Sequence, residues 1–146
     1  MNDLLFVYGT LRPELHHVMS RKLARKSTFL GRGRVNAELY DLGHYPGLIL
    51  PERIGPTDLP HSDDQTWVWG EVYALHPESA TETWHILDHY EGCHLDDPQP
   101  HEYVRQKLPV TLQDGQVVEA WAYIIQSLPP SAVRVLSGDY LKWVAE

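Results

Sequence analysis

Two carboxylates stand where a helix least favours them. In the run Trp84-His85-Ile86-Leu87-Asp88-His89-Tyr90-Glu91-Gly92, residues Trp84, Leu87, Asp88 and Glu91 recur at i, i+3, i+4 and i+7, one stripe of a helical surface. At the carboxyl end of a helix the macrodipole disfavours negative charge by about 0.3–1 kcal/mol even at an exposed site. Desolvation beside a tryptophan penalises the charged form further, which leaves an acid suited to accepting a proton. The solvated end of an amphipathic helix accounts equally well for the same spacing. A second segment, Leu4-Leu5-Phe6-Val7-Tyr8-Gly9-Thr10-Leu11-Arg12, is an apolar strand that breaks at a glycine. Successive backbone N–H groups at a strand-to-helix turn form a concavity for anions, here at Gly9, Thr10 and Leu11 with Arg12 beside it. A plain strand-ending glycine with Tyr8 in the core is the competing reading. Together the segments supply a backbone-lined anion pocket and a carboxylate base, enough for acid/base catalysis without a metal or a protein nucleophile.

Other chemistries find less support. The glycine turn lacks the glycines and lysine of phosphate-binding loops, so no phosphate cofactor is implied. His85 and His89 are four residues apart on one helix, but without the adjacent glutamate of a zinc-hydrolase motif no metal is expected. No serine lies in a Gly-x-Ser-x-Gly elbow. The formal charge of −8 argues against nucleic acid or anionic lipid, and the basic cluster from Arg21 to Lys26 reads as a solvated helix face. A single cysteine, Cys93, excludes an intrachain disulfide and favours a reducing compartment. The apolar run after Met1-Asn2-Asp3 is too short for a signal or a membrane span, so a cytoplasmic protein is expected.

The elements that must position these groups follow from periodicity and breakers. With 146 residues and 42% apolar content, the chain suits one domain, 1–146, with one core. Leu4 to Tyr8 reads as a buried strand, and Pro13 opens a helix whose apolar positions run to about Arg25. Thr28 to Tyr40 favours extended chain, with Gly31 and Gly33 marking bulges or curvature. Leu39 to Leu50 reads as strand, turn, strand. The breaker-rich stretch from Pro51 to Thr66 reads as a loop. Trp67 to Leu75 is a strand, and Ser79-Ala80-Thr81-Glu82 has the form of a capping box heading a helix to about Tyr90, which Gly92 ends. After a loop from Cys93 to Pro100, Val104, Leu108, Val110 and Leu112 alternate on one strand face, Asp114-Gly115 turns, and Val117 to Ile125 returns. The order is irregular for a doubly wound sheet, and an α+β fold is expected: a small mixed β-barrel with flanking helices.

Four ordered phrases carry a resemblance: Val7-Tyr8-Gly9-Thr10-Leu11-Arg12, Leu39-Tyr40-Asp41-Leu42-Gly43-His44-Tyr45-Pro46-Gly47, Gly70-Glu71-Val72-Tyr73 and Leu87-Asp88-His89-Tyr90-Glu91-Gly92. In that order the chain resembles the γ-glutamylcyclotransferase-like superfamily, most closely its short γ-glutamylamine cyclotransferase branch. The resemblance implies a small mixed barrel with a cavity at one end, substrate held by the Tyr8, Gly9, Thr10 and Leu11 turn, and Glu91 as general base. It further implies a small-molecule partner carrying a γ-glutamyl group, no cofactor, and release of 5-oxoproline. Arg12, Tyr45, Asp88 and Tyr123 are further candidates for the cavity. Oligomeric state is not specified. Two other readings stand beside this one: a binding domain of the same fold without turnover, and an interaction module built on the Trp67 and Trp69 strand.

Overall fold

The computed structural model describes residues 3–9, 23–42, 46–50, 67–90, 103–126 and 128–140. Its centre is a ring of five strands. β1 (Leu4–Val7) pairs antiparallel with β5 (Trp67–Leu75), and β5 with β2 (Ser27–Asn36). β2 then meets β6 (Tyr103–Leu112), β6 pairs with β7 (Val117–Ile125), and β7 returns to β1 in parallel through Leu5 opposite Trp121. Closure removes the free edges that an open sheet would expose. β4 (Pro46–Ile49) also lies parallel to β7, through Leu48 opposite Ile124, and carries β3 (Glu38–Asp41) and β8 (Val133–Arg134) outward. One edge of β7 is therefore shared, by β1 at Trp121 and by β4 at Ile124.

Alternation along the strands builds two apolar layers. Phe6, Val35, Val68, Val72, Val110, Ala120, Ala122 and Ile124 fill the interior. Leu5, Val7, Tyr73, Leu75, Tyr123 and Ile125 face outward and are covered by Trp84 and Leu87 of helix α1 (Ala80–Tyr90) and by Leu23. The interior is narrow. Gly33 and Gly70 stand opposite each other on β2 and β5; a Cβ at Gly33 would come within 2.7 Å of a Val110 methyl. Gly31 sits at the expected bulge, where the β2–β5 register shifts.

Two local expectations need correction, the start of the helix and the burial of Val104. The helix does not start at a Ser79 cap: a 3-10 turn, Pro77–Ser79, with proline in its first turn, leads directly into α1, and the Thr83 hydroxyl bonds the Ser79 carbonyl at 3.0 Å. Proline's preset φ and missing N–H suit that first turn, so no side-chain cap is required. The extended stretch expected from Thr28 to Tyr40 is present and divides at Ala37 into β2 and β3. Val104 is over a third exposed, because β2 pairs with β6 only at Thr111 and Leu112 and leaves the other end of β6 uncovered. Residues 23–25 are helical, as expected for the end of the first helix. The rest of that helix and the loops expected at 51–66 and 93–100 lie outside the described residues.

Beyond Val7, β5 finds a new neighbour in the chain near Gly138, whose carbonyl accepts the Trp69 N–H at 2.8 Å. Gly138 has φ +70°, and a Cβ there would meet the Trp67 carbonyl, so this crossing requires glycine. Tyr140 is buried just after it. Burial, and next the Asp41 carboxylate, raise its phenol above the ordinary 10.0. Below pH 10 both folded and unfolded chains carry the neutral phenol; above it the unfolded chain ionises first, so stability falls as pH rises toward the folded value. In an alkaline unfolding titration Tyr140→Phe is expected to lose that part of the decline. Superimposable curves would contradict it.

Candidate active site

The site begins at the fork in β7. Where β1 leaves that edge and β4 joins it, the Tyr8 side chain bonds the backbone of both β7 and β4. Its hydroxyl donates to the Tyr123 carbonyl at 2.5 Å and accepts the Leu48 N–H at 3.3 Å, both buried. Gly9 follows, packed so closely on the next segment that a Cβ would lie 2.6 Å from Pro46 Cγ. The Pro46 carbonyl in turn accepts the Tyr103 hydroxyl at 2.7 Å. Gly47 is hemmed in by Leu42 and Ile125. Two of the sequence phrases, Tyr8-Gly9 and Pro46-Gly47, thus lie against each other. Tyr8→Phe removes both buried bonds at once, at a cost of about 1–3 kcal/mol. Urea unfolding should show a lower midpoint, and an unchanged midpoint would mean the fork is closed by other groups.

The last turns of α1 reach the same strand from outside. Trp84 and Leu87 are buried, as the stripe predicts. Asp88 Oδ1 accepts the Tyr123 hydroxyl at 2.7 Å and lies 3.1 Å from Arg105 Nε, while Oδ2 accepts an Arg105 terminal N–H at 3.2 Å. The Arg105 guanidinium also lies 4.1 Å from the Trp84 ring centre and 4.9 Å from that of Trp121. The Trp84 indole N–H donates to Asp3 at 2.8 Å. Asp88 is therefore not an acid left alone beside a tryptophan: a guanidinium supplies its counter-charge, and two neighbours occupy its lone pairs.

Tyr123 joins the two halves. Its carbonyl receives Tyr8 from the glycine-turn side, and its hydroxyl holds Asp88 on the helix. Of the candidate residues, Tyr8, Gly9, Asp88 and Tyr123 are brought together in this way; Thr10, Leu11, Arg12, Tyr45 and Glu91 lie outside the described residues.

Two further side chains were missed by sequence reasoning. Arg105 lies on the strand face opposite the apolar positions Leu108 and Val110, and its register opposite Tyr123 brings it to the site. Glu71, directly opposite Val7 and 2% exposed, is a buried acid on the outer face where β1 ends. In Gly70-Glu71-Val72-Tyr73 it was read as part of a strand and of one phrase of the resemblance, with no role of its own. The Trp67 and Trp69 surface differs from a bare aromatic patch: both rings are partly buried, and the Arg34 guanidinium lies 4.1 and 5.6 Å from their centres.

Comparison with known proteins gives this arrangement a family. A profile described as "Gamma-glutamyl cyclotransferase, AIG2-like" matches residues 5–142. The chain belongs to this γ-glutamyl cyclotransferase family. A Vibrio cholerae protein provisionally named a γ-glutamylcyclotransferase is 30% identical over 148 residues, covering 99% of this chain and 100% of the relative. Among solved structures, YkqA from Bacillus subtilis is 25% identical with a TM-score of 0.64; the alignment covers 99% of this chain, which spans only 42% of YkqA. An AIG2-like protein from Mus musculus shares the fold at a TM-score of 0.61 and 22% identity, over 88% of this chain and 80% of that one. The resemblance inferred from the four phrases is borne out, as is the mixed barrel with flanking helices. In this γ-glutamyl cyclotransferase family member, no helix among the described residues is long and apolar enough to cross a membrane.

Proposed function

We propose that the protein is a cytoplasmic, single-domain cyclotransferase that closes a γ-glutamyl amide into 5-oxoproline and releases a free amine. The observation that carries the reading is Tyr123, which ties the Tyr8-Gly9 turn and the acidic end of α1 to one residue of β7. A γ-glutamyl amide contains its own nucleophile, so the enzyme needs only to bind, orient and move protons. The α-ammonium gives a proton to Glu91, and the freed amine attacks the γ-carbonyl. The ring nitrogen, cationic after the attack, releases its surplus proton to solvent. The tetrahedral centre then collapses, the C–N bond to the leaving group breaks, and the departing nitrogen takes the proton back from Glu91 and a second from solvent, leaving as its ammonium. The N–H groups of Gly9, Thr10 and Leu11 hold the α-carboxylate or share the oxyanion. Holding amine and carbonyl at attack distance supplies on the order of 7–11 kcal/mol in favourable cases. No metal or cofactor enters this scheme.

The test is a panel of γ-glutamyl amides with different leaving amines, assayed for 5-oxoproline. At least one should be turned over by the purified protein. Binding of 5-oxoproline or a γ-glutamyl amide without turnover of any member would replace the enzyme with a small-molecule-binding domain of the same fold.

A further inference from the structure

We propose that Arg105 is a positioning residue for this reaction: through Asp88 it fixes the rotation of the last turns of α1 and so the placement of Glu91. The inference rests on the reading of Glu91 as base. Arg105 projects from β6 and engages α1 at two points one helical turn apart, the face of Trp84 at 4.1 Å and both oxygens of Asp88 at 3.1 and 3.2 Å. Its guanidinium also lies 4.9 Å from the ring centre of Trp121 on the neighbouring strand. Tyr123, paired with Arg105 across the β6–β7 ladder, donates to the same carboxylate at 2.7 Å.

This set of contacts is more than helix docking needs. Trp84 and Leu87 already bury the apolar stripe, and a partly buried ion pair is a weak source of stability compared with apolar residues of similar volume. What a planar guanidinium adds is direction. One hydrogen bond and one ion-pair contact from the same guanidinium to the same carboxylate, with the ring of Trp84 under that group, oppose both rolling and sliding of the helix, whereas a lysine would act as a movable point charge. Glu91 follows Asp88 by three residues. A misplacement of about 1 Å at the reacting groups can lose roughly a hundredfold in rate.

Arg105→Lys keeps a cation of similar length and should fold. Steady-state kinetics on a turned-over γ-glutamyl amide should give kcat lowered about tenfold or more, with KM and the affinity for 5-oxoproline unchanged. Asp88→Asn should show the same kcat-only loss, and the double variant should lose little beyond either single one, because both break one linkage. A melting curve for each variant separates this from unfolding. Wild-type kcat in both single variants, or losses that track KM and melting temperature, would overturn the proposal. Glu91→Gln in the same assay distinguishes the failures. If it is inactive while Arg105→Lys is fully active, only the positioning role falls; if it retains full kcat, the assigned base falls and the positioning role with it.

Discussion

Replacing Glu91 with glutamine is expected to lower 5-oxoproline release by about 10²–10⁴-fold, the range over which a positioned general base contributes. The amide has nearly the shape of the carboxylate and can still hydrogen-bond the ammonium, so ligand should still bind and the melting temperature should hold. What it cannot do is accept the proton, and an α-ammonium has no lone pair with which to attack. The residual rate should reflect proximity and oxyanion binding alone. Asp88 is a poor substitute base, because its oxygens are engaged by Arg105 and Tyr123. Calorimetric titration with 5-oxoproline, run beside the rate assay, would show whether binding and turnover separate. Equal rates in wild type and variant would remove Glu91 from the mechanism.

Gly70→Ala should have a large effect on the fold. A Cβ at this position would lie 2.0 Å from the Val7 carbonyl oxygen and 2.9 Å from the Phe6 ring. The oxygen belongs to the backbone and the ring is buried in the barrel, so neither can step aside cheaply. Either β1 moves off β5 or both strands bend. A cost of about 3 kcal/mol, the upper end of ordinary overpacking, is expected, equivalent to a fall in melting temperature of roughly 10 °C for a chain of this size. The damage is directed at the site as well, since β1 ends at Val7 and the Tyr8-Gly9 turn leaves from there. A thermal melt checks this directly, and coincident transitions would show that the two strands stand farther apart.

How much of this was legible in the sequence depends on how local the signal is. β7 was read with its observed limits, Val117 to Ile125, because alternation and an Asp-Gly turn lie within a few residues of one another. The same holds for α1, whose apolar stripe is set by its own period. The fork was not legible: Tyr8 and Tyr123 are 115 residues apart, and no local pattern says which two strands share an edge of β7. Arg105 was missed for the same reason, since its partners are fixed by how α1 crosses the β6–β7 hairpin. The error at Ser79 has a different origin. Two start signals compete there, and the proline two residues earlier prevails. Glu91, Thr10, Leu11, Arg12 and Tyr45 owe their assignments to the family resemblance and to spacing, whereas Tyr8 and Asp88 now have partners that give each a physical role.

Intramolecular attack separates this account from its closest chemical competitor, hydrolysis of the same amide bond. Turnover of a γ-glutamyl amide in ¹⁸O-labelled water, with products resolved by mass spectrometry, tests the difference. The account predicts unlabelled 5-oxoproline and amine in equal amounts, because water is not a reactant. Glutamate carrying ¹⁸O in its γ-carboxyl group would contradict it.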